Sequence, residues 1–185
     1  MLAILPIRSG SQRVKNKNIT LVNNKPLYIH IVNTLKKVKQ IEKIIINTDY
    51  EIIRQTYAND QHIDVMERDE DLKGNCDINI VIDRILQVYD CQYYFQTHAT
   101  NPLLKSNTID SAIKKYFKHK NEYDSLFSVT KIQKRFWSSD CNPINHNKND
   151  EPTTQNLEPY FEENSCIYIF SKDSFQIGKN RIGDK

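Results

Sequence analysis

Glycine is scarce in this chain, at four residues of 185, so most turns must be made by other residues and each glycine needs a local reason. Cysteine is equally rare, and Cys76, Cys91, Cys141 and Cys166 form no C-x-x-C pair. That argues against a disulfide framework or a zinc ribbon and for reduced thiols. No apolar run approaches the roughly 20 residues that span a bilayer, and strand-like residues begin at Leu2, which leaves no room for a secretory leader. The sequence therefore predicts a cytoplasmic protein with no membrane partner. A large charge of one sign is also missing. Lys and Arg total 26 against 23 acidic residues, a formal net charge of +3, which suits a small anionic ligand and not nucleic acid.

Familiar motifs are missing too. No GKS or GKT closes a Walker loop, and there is no G-x-G-x-x-G fingerprint. His30, His62, His98, His119 and His146 include no H-E-x-x-H pair, and no cysteine pair completes a zinc set with them. There is no internal repeat and no interdomain linker.

What the chain does have is the material for one substantial core, with 38% hydrophobic and 26% charged residues, including ten Tyr and seven Phe. Leu2 to Ile7 reads as a buried strand ending at Arg8. Pro26 opens a helix with Leu27, Ile31, Leu35 and Val38 on one stripe. Ile44 to Asn47 is a second strand, and Asp49 either caps a helix from Tyr50 to Tyr57, the preferred reading, or serves the metal or the base pocket from the ligand side of the sheet. Ile63 to Glu67 is a third strand, and Asp77 caps a helix carrying Ile78, Val81, Ile82, Ile85 and Leu86. Tyr93 to Thr97 is a strand, and Ser106 leads a helix with Ile109, Ala112, Ile113 and Phe117 facing inward. Ser125 to Thr130 and Cys166 to Phe170 read as further strands.

Strands alternating with helices predict an α/β fold: one three-layer α/β/α domain over residues 1–185, with a mostly parallel, Rossmann-like sheet. Residues from about 138 to 165 interrupt the pattern with an Asn-, Asp-, Glu- and Pro-rich excursion. The lysine-rich stretches Lys36-Lys37 and Lys114 to Lys120 read as solvated helix faces, and the acidic run Asp69-Glu70-Asp71 as a solvated loop.

The chemistry points to the segment that leaves the first strand. Ligands of parallel sheets bind beyond the carboxyl ends of the strands. Gly10 between Ser9 and Ser11 permits a tight turn whose backbone N–H groups can face a phosphate. Arg8, Arg13, Lys15 and Lys17 gather positive charge beside it. An anion-binding loop and an ordinary basic surface loop both fit this composition.

Arg8-Ser-Gly-Ser followed by Lys17-Asn18 resembles the amino-terminal signature of the acylneuraminate cytidylyltransferase family, the CMP-sugar synthetases that activate acidic nine-carbon sugars. Four later blocks keep the family's order. Asn47-Thr48-Asp49 resembles its Ser-Thr-Asp motif, and Arg68 with Leu72 its Arg-Pro-x-x-Leu-Ala segment. His98-Ala99-Thr100-Asn101-Pro102-Leu103 resembles Gln-x-Thr-Ser-Pro-Leu. Gln155 through Pro159, then Asn164 and Tyr168, resemble the Gln-x-Leu-Pro and Asn-Gly-x-x-Tyr stretch.

The resemblance implies a nucleotide-diphospho-sugar transferase type of fold and transfer of CMP from CTP to a 2-keto sugar acid, such as sialic acid or a related nonulosonate. Pyrophosphate is released, and Mg²⁺ is the implied cofactor. Arg8, Ser9, Gly10, Ser11, Arg13 and Lys17 would hold the triphosphate, with Arg8 and Lys17 as the catalytic charges. Asn18 and Arg68 would read cytosine. His98, Gln155 and Asn164 would face the sugar, His98 being equally readable as a phosphate contact or an inert structural imidazole, with Tyr160 and Phe161 either lining that pocket or serving as core. The family also implies a homodimer, with the excursion and its neighbours Phe136 and Trp137 as a subunit contact.

The likeness has departures. Gln12, Asp69, Lys73, Asn75, His98, Thr154 and Ser165 replace residues usual in the family. Family members also continue past Arg181-Ile-Gly-Asp-Lys185 to an aspartate-rich motif, so the expectation is of a homologue lacking its carboxyl-terminal part, with metal ligands unknown. A truncated, silent nucleotide-binding homologue and a nucleotidyltransferase for another sugar are the alternative readings.

Overall fold

A computed structural model describes residues 1–11, 13–74, 76–149 and 153–185. The expectations placed on Gln12 and Asn75 lie outside the described residues. Residues Met1–Phe127 with Ser165–Lys185 form one compact unit, and Ser128–Asn164 form a second.

The first unit is built on parallel strands. β1 (Leu2–Ile7) pairs in parallel with β4 (Lys43–Thr48) and with β6 (Tyr93–Gln96), and β4 pairs with β5 (Ile63–Glu67). β8 (Tyr160–Ser171) runs antiparallel to β6, and β7 is Ser125–Ile132. Among the described residues the strand order is β5-β4-β1-β6-β8-β7. The chain moves outward from β1 to β5 and then returns to add β6 on the other side of β1. The reversal leaves a crevice at the carboxyl ends of β1 and β6, where α/β sheets bind ligands.

Alternation along the strands supplies both faces of the sheet. Ala3, Leu5 and Ile7 of β1 join Ile44 and Ile46 of β4 in one core, with Ile31 and Leu35 of helix α1 (Leu27–Leu35) and Ile109 and Ile113 of α4 (Ser106–His119). Ile53 of α2 (Glu51–Tyr57) completes that side. Ile4 and Ile45, in register with each other, turn the other way. They meet Val81, Ile82 and Ile85 of α3 (Ile78–Val88) and Phe175 of α5 (Lys172–Gly178). The unit is thus a three-layer α/β/α fold, each fully buried Ile or Leu contributing about 1.5–3 kcal/mol.

Several local expectations change. Asp49 does not cap α2. Tyr50 is the N-cap residue, its N–H donates to Thr48 Oγ1 at 3.0 Å, and the Asp49 carboxylate faces Ser9 instead. On α4 the buried stripe is Ile109, Ile113 and Tyr116, at i, i+4 and i+7. Phe117 falls at the stripe's edge, 37% exposed, packing edge-on against Tyr93. Asp77 does cap α3, accepting from Asn79 N at 2.9 Å. Two features have no counterpart in the sequence reading, α5 and a hairpin of β2 (Leu21–Val22) and β3 (Lys25–Pro26). Asn23 and Asn24 turn that hairpin with φ of 48° and 58°, the two-residue geometry whose twist suits paired strands.

The second unit replaces periodicity with side-chain capping. Asn145 accepts from Phe136 N and donates to Lys134 O, both at 2.8 Å, while Ile144 N donates to Phe136 O. Phe136 meets Tyr160 edge-on, and Trp137 meets His146.

Candidate functional site

Where β1 and β6 diverge, the first unit encloses a cavity of about 300 Å³. Its lining includes Arg8, Ser11, Lys17, Asn18, Arg68 and His98, together with Gly74, Cys76 and Thr100. Six of the residues singled out in the sequence therefore line one cavity, although Arg68 and His98 stand 60 and 90 positions from Arg8 in the chain.

The loop after β1 is held in place by its own polar groups. Ser9 gives its N–H to Asp49 Oδ1 at 2.7 Å and its hydroxyl to Asp49 Oδ2 at 2.5 Å. Ser11 N closes a tight turn onto Ser9 O at 2.8 Å. Asn18, on a 3-10 turn over Lys17–Ile19, is buried, and its Nδ2 donates to Arg8 O at 2.9 Å. The Arg8 guanidinium donates to the carbonyl of Gly74. Gly74 has φ 83°, in the left-handed region that side chains resist, so glycine is favoured there.

Arg68 is the most unusual group. It is only 4% exposed, and among the described residues its hydrogen-bond partners are neutral: Nε donates to Asn47 Oδ1 at 2.9 Å and Nη1 reaches Leu72 O at 3.5 Å. Desolvation pushes its pKa below the ordinary arginine value, Cys76 and Asp49 pull the other way, and Arg8 adds to the lowering. A guanidinium remains protonated even so. A cation buried against amide and carbonyl oxygens is costly, and an electron-rich ligand in the cavity would offset that cost.

His98 lies across the cavity at the end of β6. Burial pushes its pKa down to about 4, and the positive charges of Arg181 and Lys17 act in the same direction. The ring is neutral at pH 7. Asn101 secures the loop that follows, donating to Thr97 Oγ1 at 3.2 Å and to Ser165 O at 3.0 Å.

The other expected residues stand elsewhere. Gly10 and Arg13 are exposed and outside the cavity lining, and Ser9 is turned to Asp49. Gln155 and Asn164 belong to the second unit. Gln155 offers its carbonyl to Gln133 Nε2 at 3.0 Å. Asn164 accepts from Ser128 Oγ at 2.6 Å and donates to Thr130 Oγ1 at 3.2 Å. Tyr160 and Phe161 are 44% and 61% exposed, so neither is core. Among the described residues no three His, Cys, Asp or Glu side chains converge as metal ligands, and both Asp49 oxygens are already engaged. These side chains do not form a cage for Mg²⁺. No described helix is long and apolar enough to cross a membrane.

Residues 2–182 match the family model described as cytidylyltransferase. The chain is 25% identical over 184 residues to the N-acylneuraminate cytidylyltransferase of Streptococcus agalactiae, covering 94% of this chain and 44% of that protein. It is 30% identical over 184 residues to the CMP-N,N'-diacetyllegionaminic acid synthase of Legionella pneumophila, covering 91% of this chain and 77% of that one. The fold is similar to that of a CMP:2-keto-3-deoxy-manno-octonic acid synthetase solved with CTP. There the TM-score is 0.71 at 13% identity, over 95% of this chain and 75% of that chain. The chain thus spans less than half the length of its streptococcal relative.

Proposed function

The chain belongs to the cytidylyltransferase family, and from that premise we propose that it binds CTP in the cavity beyond β1 and transfers CMP to an acidic 2-keto sugar. The observation that carries this reading is Arg68, a buried guanidinium with amide and carbonyl partners, facing the same cavity as Arg8, Lys17 and Asn18. A pyrimidine offers such groups a carbonyl and a ring nitrogen as acceptors and an amino group as donor.

In this reading a sugar hydroxyl oxygen attacks the α-phosphorus of CTP. The new P–O bond forms as the bond to the β-phosphate breaks, and pyrophosphate leaves with the electron pair. The hydroxyl proton passes to solvent or to the departing phosphate. Arg8 and Lys17 contribute charge along the triphosphate, where reactions at phosphorus depend mostly on positioning and electrostatics. Asp49 and Asn18 act by holding the loop that carries these charges. Magnesium is proposed as a companion of the triphosphate, coordinated by its oxygens and by water, as this ion commonly is.

The acidic sugar is proposed from the relatives, whose activities differ in the sugar they use. A homodimer is proposed on the family resemblance, with exposed Trp137 and Phe161 of the second unit as anchors. A calorimetric titration of the purified chain with CTP, UTP, GTP and ATP tests the pocket, and pyrophosphate release with sialic, legionaminic and 3-deoxy-octulosonic acids tests the transfer. Selective CTP binding with release supports the proposal. Binding without release leaves a nucleotide binder, and no binding by a folded sample rejects the site.

A further inference from the structure

Gln96 is the last residue of β6, and its side-chain amide is fully buried. Each polar atom of the amide is committed. Oε1 accepts from Arg181 Nη1 at 2.7 Å. Nε2 donates to Thr97 O at 2.9 Å and lies 3.2 Å from His98 Nε2. A guanidinium has no acceptor and a backbone carbonyl has no donor, so rotating the amide by half a turn would create two like-to-like contacts. The NH₂ group therefore faces His98, and His98 Nε2 receives that hydrogen through its lone pair. A neutral imidazole that accepts at Nε2 carries its proton on Nδ1.

The far end of this chain of bonds is also fixed. Gln96 and Tyr168 are register partners in the antiparallel β6–β8 pair, so their side chains share a face. The Arg181 guanidinium lies 3.6 Å from the centroid of the Tyr168 ring. Arg181 N donates to Asn79 Oδ1 on α3 at 3.1 Å, and Lys179 pairs with Asp83 at 3.0 Å. The segment after α5 thereby places one arginine over β6 and β8, outside the cavity lining yet joined to it through a single amide.

We propose that Arg181 is a positioning residue for the site: acting through Gln96, it holds His98 as the neutral imidazole protonated on Nδ1, which makes His98 a hydrogen-bond donor to a ligand oxygen and not a proton-accepting base. The proposal rests on reading the cavity as the cytidylyl site, because that reading supplies the ligand. The hydrogen-bond chain itself is independent of it.

The test is a long-range ¹H–¹⁵N spectrum of the full chain labelled in its histidines, followed over pH, with His98 assigned by the signal lost in His98→Gln. In the wild-type protein His98 shows protonated Nδ1 and bare Nε2, and it stays neutral down to about 4. Gln96→Glu keeps the shape and an acceptor for Arg181 but turns a carboxylate oxygen to His98, so the proton moves to Nε2 and the titration moves up. Arg181→Met removes one of the two contacts that orient the amide and leaves only Thr97 O to hold it, so the Nδ1-protonated form loses part of its preference and cytidylyl transfer falls on the order of 10-fold, the size of one well-placed hydrogen bond to a charged group. Arg181→Lys, which can still donate to Gln96, restores most of both signals.

A wild-type His98 that carries its proton on Nε2 overturns the proposal, as does an unchanged tautomer in Gln96→Glu. If Arg181→Met fails to fold because Tyr168 loses its cover, the wild-type spectrum and Gln96→Glu still decide the matter. If the spectra are as expected but CTP does not bind, the functional reading fails and the positioning network stands. If CTP binds and the tautomer differs, only the network fails.

Discussion

Ser9 donates twice to Asp49, through its N–H at 2.7 Å and its hydroxyl at 2.5 Å. The two bonds fasten the basic loop after β1 to the carboxyl end of β4, a strand that contributes no side chain to the cavity lining. Removing the carboxylate leaves two donors to find water and a loop with more conformations. Asp49→Ala is expected to cost about 1–3 kcal/mol in urea unfolding and to weaken CTP binding roughly 10-fold in calorimetry. Ser9→Ala retains the backbone bond and should lose less of both. Unchanged CTP affinity in Asp49→Ala would show that the loop does not depend on this clamp.

Arg68 separates stability from binding. Among the described residues its guanidinium is buried against amide and carbonyl oxygens and not against a carboxylate, so replacing it with a flexible apolar side chain relieves a desolvation cost. The same change leaves Asn47 Oδ1 short of a donor. The two effects oppose each other, and Arg68→Met should unfold within about 1 kcal/mol of the wild type. CTP binding should fall at least about 10-fold, as it should for Lys17→Ala, where a half-buried part of the same cavity lining loses its charge. A marked loss of stability with normal binding would make Arg68 a structural residue and would remove the main support for the pocket.

His98 gives the fold a predictable response to acid. Its pKa falls from 6.5 to about 4 on folding, through burial first and then the charges of Arg181 and Lys17. Between those values the unfolded chain binds a proton that the native chain refuses, so stability decreases as pH falls from about 6.5 towards 4. The full shift corresponds to roughly 3 kcal/mol, and solvent in the cavity reduces this to about 1–3. His98→Gln should lose less stability than wild type between pH 7 and pH 4.5 in urea unfolding. Equal pH dependence in the two proteins would mean that the imidazole is not held neutral.

The fold was legible wherever burial repeats with a strand or helix period. Leu2–Ile7 and Ile63–Glu67 have the same limits in the sequence and in the structure, because both are too short for a helix, rich in branched residues and flanked by polar segments, one as a buried run and the other as an alternation. Asp77 was legible as a cap because its carboxylate stands directly before the helix and accepts from Asn79 N within it. Asp49 was misread for the opposite reason. A carboxylate before a helix usually caps it, and only the tertiary approach of Ser9 from another strand draws it away. Arg8, Lys17, Asn18, Arg68 and His98 were legible as a site through the family pattern, while the feature that distinguishes Arg68, burial against neutral partners, exists only in three dimensions. Arg181 had no local signal at all. It sits in a stretch without periodicity, and its meaning comes from Gln96 and Tyr168 lying opposite each other in paired strands.

Ser165 offers a test of how far the family's pattern reflects backbone geometry. It stands where the resemblance places a glycine after Asn164, and it has φ 56° inside β8, a left-handed residue of the kind that marks a bulge. An L-residue pays about 1–2 kcal/mol for that conformation. Glycine would remove the strain, but it adds about 0.4–1 kcal/mol of unfolded-state entropy and deletes the Oγ that Tyr168 OH reaches at 3.2 Å. These terms nearly cancel, so Ser165→Gly should melt close to the wild type. Ser165→Val brings a branched side chain into the same conformation and should lose more than about 2 kcal/mol. Because Ser165 O anchors Asn101, whose loop carries Thr100 to the cavity, the valine variant should also bind CTP less tightly. Equal stability of the glycine and valine variants would mean that the backbone at 165 is not left-handed, and that the glycine of the family serves the ligand directly.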